Sequence, residues 1–170
     1  FDPLKVWIKE AHKRNIKVNI WFETFYVGNQ NPSNDPKSIL AVNPSWANTT
    51  KKNYDSNSPT PSLSEHGGYF LDPSNPDVQE FLECLIKEII CNYAPDGINL
   101  DYIRYPQSIA AKFMGYELSN WGYTEYARED FKSKYGKDPV ELSSSDELWL
   151  MWDKYRQDQI SEFVLRINKL

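Results

Sequence analysis

Two carboxylates at the ends of short apolar segments are the residues of this sequence best suited to chemistry. The segment DGINLDYIRYP (residues 96–106) contains Asp101, and the segment IKVNIWFE (residues 16–23) ends on Glu23. A polar side chain buried in a strand costs roughly 1–3 kcal/mol unless it is hydrogen-bonded. A wet cleft at the end of the strand removes that cost and leaves a carboxyl group available as an acid, base or nucleophile. The residues leave a structural alternative open, in which Asp101 pairs with Arg104 or caps a nearby loop.

The alternation of side chains along a strand places the polar groups of both segments on one face. With a period of two, Asn19, Trp21 and Glu23 share a face of the first strand. Asn99 and Asp101 share a face of the second. We therefore predict that both strands present polar groups on the face opposite to their helices, with a carboxylate at each carboxyl end.

Four helices and two long connections surround these strands in the predicted order. The first helix begins at Pro3 after the cap Asp2, and another runs from Pro76 to about Asn92. A third spans about Thr124 to Gly136, and a long one starts near Ser145 and runs close to the end. The stretch from Thr24 to Asn75 shows no long element, and a second irregular stretch follows Pro106. Loops of this length inside a compact domain are usually functional or mobile.

Strands that alternate with helices predict an α/β fold built from right-handed parallel βαβ units. Two parallel strands cannot close a sheet, so residues 1–170 are expected to be one partial domain from a longer chain. The carboxyl ends of the strands, with the long loops, are where α/β barrels place their active sites. An exposed sheet edge attracts partners, and it predicts self-association.

Composition and charge exclude several classes of function. The net charge of −5 argues against a nucleic-acid partner, which would favour a basic surface. The sequence contains no apolar run long enough for a membrane span and no basic leader followed by an apolar segment. Phe1 is not a Met, so a targeting signal of a longer chain would not be visible. Six Trp and eleven Tyr suit either an aromatic core or surfaces that hold sugar rings.

Metal, cofactor and disulfide signatures are weak in this sequence. Glu65, His66 and Asp72 share one loop, but their spacing repeats nowhere else, so we predict no metal and no cofactor. Cys84 and Cys91 are seven residues apart in one predicted helix, about 10 Å by helical rise, which is too far for a disulfide. We expect both to be reduced apolar filling.

Five ordered blocks resemble the glycosyl-hydrolase-like family ten, a bacterial family with (β/α)₈ TIM barrels. The blocks are FDPLKVWIKEAHKRNIKVNIWFE, NPSWA, YFLDPSNPDVQEFL, DGINLDYIRYP and WDKYRQDQISEFV, and they cover nearly the whole chain. The resemblance implies a barrel segment around the third and fourth strands. It also implies a secreted or cell-envelope protein that acts on bacterial cell-wall or other complex glycans, with a polysaccharide or oligosaccharide as its partner.

The resemblance also implies roles for individual residues. Glycoside hydrolysis needs two carboxyl groups that flank the scissile bond, and we predict Asp101 and Glu23 as this catalytic pair. The true partner of Asp101 remains open, since it can equally lie on a strand that this chain lacks. Relatives often carry a second Asp at Tyr102, Asn at Glu23 and His at Asn99. The predicted substrate-binding residues are Trp21, Tyr26, Asn99, Tyr102, Arg104, Tyr105, Trp46 and Tyr69.

Loop packing remains an equally open role for Trp46 and Tyr69.

Two interpretations of the whole domain also remain open. It is either a glycoside hydrolase or a non-catalytic carbohydrate-binding or structural envelope module on a degenerate barrel. Catalysis requires both carboxylates to be held within fractions of an ångström. We therefore expect the 170-residue chain by itself to be inactive.

Overall fold

A computed structural model describes residues 1–56, 58–106 and 120–170. Within these residues the α-helices are α1 (Pro3–His12), α2 (Ile39–Val42), α3 (Pro76–Tyr93), α4 (Glu125–Tyr135) and α5 (Trp149–Ile167). The four strands are β1 (Asn19–Glu23), β2 (Tyr26–Gly28), β3 (Tyr69–Phe70) and β4 (Gly97–Asp101). Most of the irregular stretch predicted after Pro106 lies outside the described residues.

The central sheet consists of β1 and β4, which pair in parallel and are connected through α3. Glu23 is the register partner of Asp101, and Asn19 is that of Gly97. The predicted α/β fold with two parallel strands is confirmed, and it is the arrangement of one βαβ unit of a (β/α)₈ barrel. Both strands are shorter than predicted, because β1 begins only at Asn19 and β4 ends at Asp101.

Local capping explains where the helices begin and end. The Asn75 side chain accepts the backbone N–H of Asp77, and Pro76 occupies the first position of α3. Thr124 caps α4 in the same way, and Gly136 ends it with φ of 80°. The long helix begins at Trp149, later than predicted, because residues near Ser145 form a polar turn in which Asp146 accepts the N–H of Ser143.

The connection between β1 and α3 contains several short elements. β2 pairs with β3 in antiparallel orientation, with Tyr26 opposite Phe70, and α2 covers only four residues. Elements of two to four residues carry too few periodic positions to be recognised in a sequence. They nevertheless tie the connection to the sheet, since the Leu71 N–H donates to the Phe25 carbonyl at 2.8 Å.

Two groups of buried side chains form the core. The larger one packs the apolar face of α3 against the sheet, and it includes Phe25, Val78, Ile86 and Phe163. The smaller one lies between α4 and α5 around Phe131, Trp152 and Tyr155. These residues follow the helical spacing of the sequence, which is the pattern of a helix with one buried face.

Opposite the core, the sheet presents the polar face that its alternation predicts. Asn19, Trp21, Glu23 and Asn99 are exposed, while Leu100 packs against the larger core. Trp21 is 69% exposed. Within the described ranges this sheet has no third strand, so both of its outer edges are unpaired. Self-association through such an edge stays a prediction.

The two cysteines of helix α3 are exposed to solvent, and no described helix is suited to span a membrane. Cys84 and Cys91 are free thiols but exposed, so the prediction that they fill apolar space is wrong. They lie on the side of α3 that faces away from the sheet. Among the residues described, every helix is too short or too polar to cross a membrane.

Candidate active site at the carboxyl ends of the strands

Glu23 and Asp101 are the last residues of β1 and β4 and are direct neighbours across the sheet. Adjacent strands lie about 4.8 Å apart, and register partners in a parallel pair project to the same face. The two carboxylates therefore project from one end of the sheet on its polar face. Their assignment as the catalytic pair stays a prediction.

Hydrogen bonds hold the Asp101 carboxylate in place through both oxygens. The indole Nε1–H of Trp21 donates to Oδ2 at 2.8 Å, and the backbone N–H of Tyr102 donates to Oδ1 at 2.8 Å. The Asp101 carbonyl also accepts the Thr24 N–H at 2.8 Å, which continues the strand pairing by one residue. Because all of these partners are donors, Asp101 serves as an acceptor throughout.

Tyr102 adopts a backbone conformation that is rare for a bulky residue. Its φ of 48° lies in the left-handed region, which costs of order 1–3 kcal/mol for a residue other than glycine. This turn ends β4 and brings the Tyr102 ring onto Tyr26, with the centroids 4.6 Å apart and the rings stacked. Strained residues of this kind cluster at functional sites, where surrounding contacts hold them in place.

An ion pair between Glu65 and Arg104 borders the two stacked tyrosines. Arg104 Nη1 donates to Glu65 Oε1 at 2.7 Å, and its guanidinium lies 5.0 Å from the centroid of the Tyr102 ring. The pKa of the Tyr26 hydroxyl is raised, mainly by burial and further by Tyr102, Glu23 and Glu65.

Sequence reasoning did not include Glu65 in the site. It lies 39 residues before Arg104 in a loop, and no periodic pattern marks it. The sequence associated it only with a weak metal cluster together with His66 and Asp72. In the structure the Asp72 carboxylate is fully buried, and it accepts hydrogen bonds from Ser74 and Thr124 instead. Burial raises the pKa of Asp72 against the opposing effect of these hydrogen bonds.

The structure brings together six of the ten predicted site residues around the carboxyl ends of the strands. They are Trp21, Glu23, Tyr26, Asp101, Tyr102 and Arg104. Asn99 lies on the same face of β4, two residues before Asp101, and is the register partner of Trp21. No cluster of three metal-ligating side chains occurs within residues 1–56, 58–106 and 120–170.

The three remaining predicted residues lie in packed surroundings. Trp46 contacts Phe81 of α3, with the ring centroids 5.5 Å apart. Tyr69 is 7% exposed within the larger core. The Tyr105 ring packs against Gly122, whose φ of 93° and close approach leave no room for a side chain. Burial raises the pKa of the Tyr105 hydroxyl. Their roles in substrate binding remain predictions.

A βαβ unit with neighbouring carboxylates at the carboxyl ends of its strands has the arrangement of a glycoside hydrolase-like barrel domain. The sequence comparison defines the family more closely. The profile of the family described as Glycosyl hydrolase-like 10 matches residues 1–170. The chain belongs to this family.

Several known proteins are similar to this chain. Glycosyl hydrolase DigH of Escherichia coli (strain K12) is 27% identical over 119 residues, which cover 64% of this chain and 24% of DigH. Glycosyl hydrolase YngK of Bacillus subtilis (strain 168) is 22% identical over 170 residues, which cover 99% of this chain and 27% of YngK. The chain thus spans about a quarter of the length of these curated relatives.

Two solved structures resemble the fold. An α-galactosidase from Lactobacillus brevis has a TM-score of 0.43 and 18% identity, with 79% of this chain and 17% of that chain covered. An α-amylase from Geobacillus thermoleovorans has a TM-score of 0.44 and 25% identity, with 90% of this chain and 32% of the amylase chain covered.

Proposed function

We propose that this chain forms part of a glycoside hydrolase that acts on bacterial cell-wall or another complex glycan. Asp101 and Glu23 are its two carboxyl groups. The observation that carries the proposal is the direct pairing of these residues at the carboxyl ends of parallel strands, on an exposed polar face. Glycosidases place their two carboxyl groups about 5–9.5 Å apart, and neighbouring strand ends suit that range.

The environment of each carboxylate supports a division of roles. Both oxygens of Asp101 accept N–H groups, from Trp21 and Tyr102. An acceptor fixed in this way suits the nucleophile or general base. Glu23 lies beside Asp101 on the same face, and we assign it the role of the acid that protonates the leaving group. The exposed Trp21 ring, anchored by its N–H, offers a platform for a sugar ring.

Tyr102, Tyr26 and Arg104 form the wall of this proposed site. The cation–π contact of Arg104 with Tyr102 and its ion pair with Glu65 fix the guanidinium in one position. A fixed guanidinium presents its remaining N–H groups to sugar hydroxyls with little further loss of entropy. We assign Glu65 the role of a positioning residue that acts through Arg104.

A carbohydrate-binding module without catalysis is the second candidate. The exposure of Glu23 favours it, because a general acid is usually shielded from water so that it stays protonated at the working pH. The two candidates share the Trp21 platform and differ only in bond cleavage. The proposed location in the cell envelope or outside the cell rests on the family resemblance, and cell fractionation tests it.

The full-length protein should release reducing sugars from bacterial cell-wall glycan or another complex polysaccharide, while the 170-residue chain alone should not. The reason is that the unpaired edges of a two-stranded sheet cannot hold the carboxylates in a fixed geometry. A reducing-sugar assay and a pull-down on the same insoluble glycans measure cleavage and binding together. Binding without cleavage by the full-length protein would favour the second candidate.

Replacing Glu65 by Gln should weaken glycan binding by about three- to tenfold, because Arg104 loses the charge that holds it. The Gln side chain keeps the shape of Glu65, so the effect should appear in KM rather than in kcat. Glu10→Gln is the matched control, since Glu10 forms exposed ion pairs on α1 with Lys13 and Arg14. Equal KM values for the two variants would remove Glu65 from the site.

A further inference from the structure

A groove of about 810 Å³ lies between the connection formed by residues 44–56 and 58–59 and helix α4. Its described lining residues do not include Glu23 or Asp101. One wall belongs to the connection that leaves the carboxyl end of β1, and the other follows the carboxyl end of β4. In a barrel both connections lie on the face that carries the active site. The groove thus lies on the side of the fold where a barrel carries its active site.

Asn48 lines the groove and contains a hydrogen-bond donor that is not satisfied. The residue is 1% exposed, and its Oδ1 accepts the Gly122 N–H at 3.0 Å, which fixes the orientation of the amide. Its Nδ2 has no partner among residues 1–56, 58–106 and 120–170. An unpaired buried donor costs about 1–3 kcal/mol, so the wall of the groove at Asn48 contains a polar group that its protein neighbours do not satisfy.

Aromatic rings and hydroxyl groups form much of the remaining lining. Tyr54 is 38% exposed, and Tyr126 is 43% exposed. The guanidinium of Arg128 lies 4.4 Å from the centroid of the Tyr54 ring and pairs with Asp138 at 2.6 Å. Together with Ser45 and other hydroxyl-bearing residues, this lining combines flat apolar faces with polar groups, as sugar rings require.

The charges that line the groove define the chemical class of the ligand. The charges of Arg128 and Asp138 neutralise each other in their ion pair. The other charged lining residues are three acidic ones and one basic one, namely Asp55, Glu125, Glu129 and Lys132. The resulting negative potential disfavours anionic ligands. A chain of uncharged sugar units fits the lining better than a nucleotide, a phosphorylated sugar or a uronic acid.

We propose that this groove is a second carbohydrate-binding site, which holds uncharged sugar units of a glycan chain remote from the cleavage point. The inference rests on the proposed function, because it takes the glycan as the ligand of the same protein. It adds a binding surface that includes Tyr54 and Tyr126 and excludes the catalytic pair.

Binding to the groove can be measured without turnover in the full-length Asp101→Asn protein. Cellohexaose, maltohexaose and chitohexaose serve as probes in isothermal titration. In this background Tyr126→Ala should weaken binding of the preferred hexaose by about two- to tenfold, the value of one aromatic contact. Tyr126→Phe keeps the ring and should bind like the parent. Since Tyr126 is exposed, both variants should fold.

The outcomes separate this inference from the proposed function. Equal affinities for Tyr126→Ala and its parent, or no binding of any hexaose, would overturn the second site. Binding that depends on the Tyr126 ring supports it, even if the protein with Asp101 intact shows no hydrolysis. That last result would refute the proposed glycosidase activity alone.

Discussion

Replacing Asp101 by Asn in the full-length protein should lower glycan hydrolysis by about 10²–10⁴-fold, because one carboxyl group of the pair is lost. Stability should fall by only about 1 kcal/mol, since the amide oxygen can accept just one of the two N–H groups from Trp21 and Tyr102. Reducing-sugar release and thermal unfolding on the same preparations measure the two effects.

Asp96→Asn provides the matched control for Asp101→Asn. Asp96 lies at the amino end of β4, where its carboxylate accepts the Val18 N–H at 2.8 Å and contacts His12. The same chemical change there should leave the rate unchanged. An Asp101→Asn protein that keeps its activity, or that loses it only in proportion to its unfolded fraction, would make Asp101 a structural residue.

A third variant separates positioning from chemistry. Trp21→Phe removes the N–H that donates to Asp101 Oδ2 but leaves the carboxylate intact. We expect a loss smaller than that of Asp101→Asn, with part of it in KM because the aromatic platform also changes. Equal losses for the two variants would mean that holding the carboxylate matters as much as its presence.

Replacing Phe163 by Ala should destabilise the protein by about 3–5 kcal/mol, the usual cost of deleting a buried ring. Phe163 is fully buried in the larger core, where its ring centroid lies 5.4 Å from that of Phe25. It connects α5 to the residues that follow β1. The cavity left behind cannot close, because helix and sheet are both held by many other contacts.

Urea unfolding followed by tryptophan fluorescence measures this loss of stability. Val164→Ala is the control on the neighbouring position, since Val164 is 38% exposed, and it should cost less than about 1 kcal/mol. Equal costs for both variants would show that α5 packs differently.

The sequence by itself determined the order of the two central strands and the four longer helices, and most of the ends of these helices. Asp2, Asn75 and Thr124 act as caps in the structure as their residue types predict. Such signals depend on hydrogen bonds within a few residues, so they are visible without tertiary contacts. The period of two also placed Glu23 and Asp101 on the polar face before any pairing was known.

Only the tertiary structure decided which residues around those carboxylates meet. The Trp21 contact with Asp101 spans 80 residues, and the Glu65 contact with Arg104 spans 39. The structure also showed that Tyr69 is buried in the larger core and that half-buried Trp46 packs on Phe81, and their roles in sugar binding stay predictions. The groove at Asn48 likewise depends on two distant connections. Contacts of this range depend on how loops close and pack, and local propensity carries no information about that.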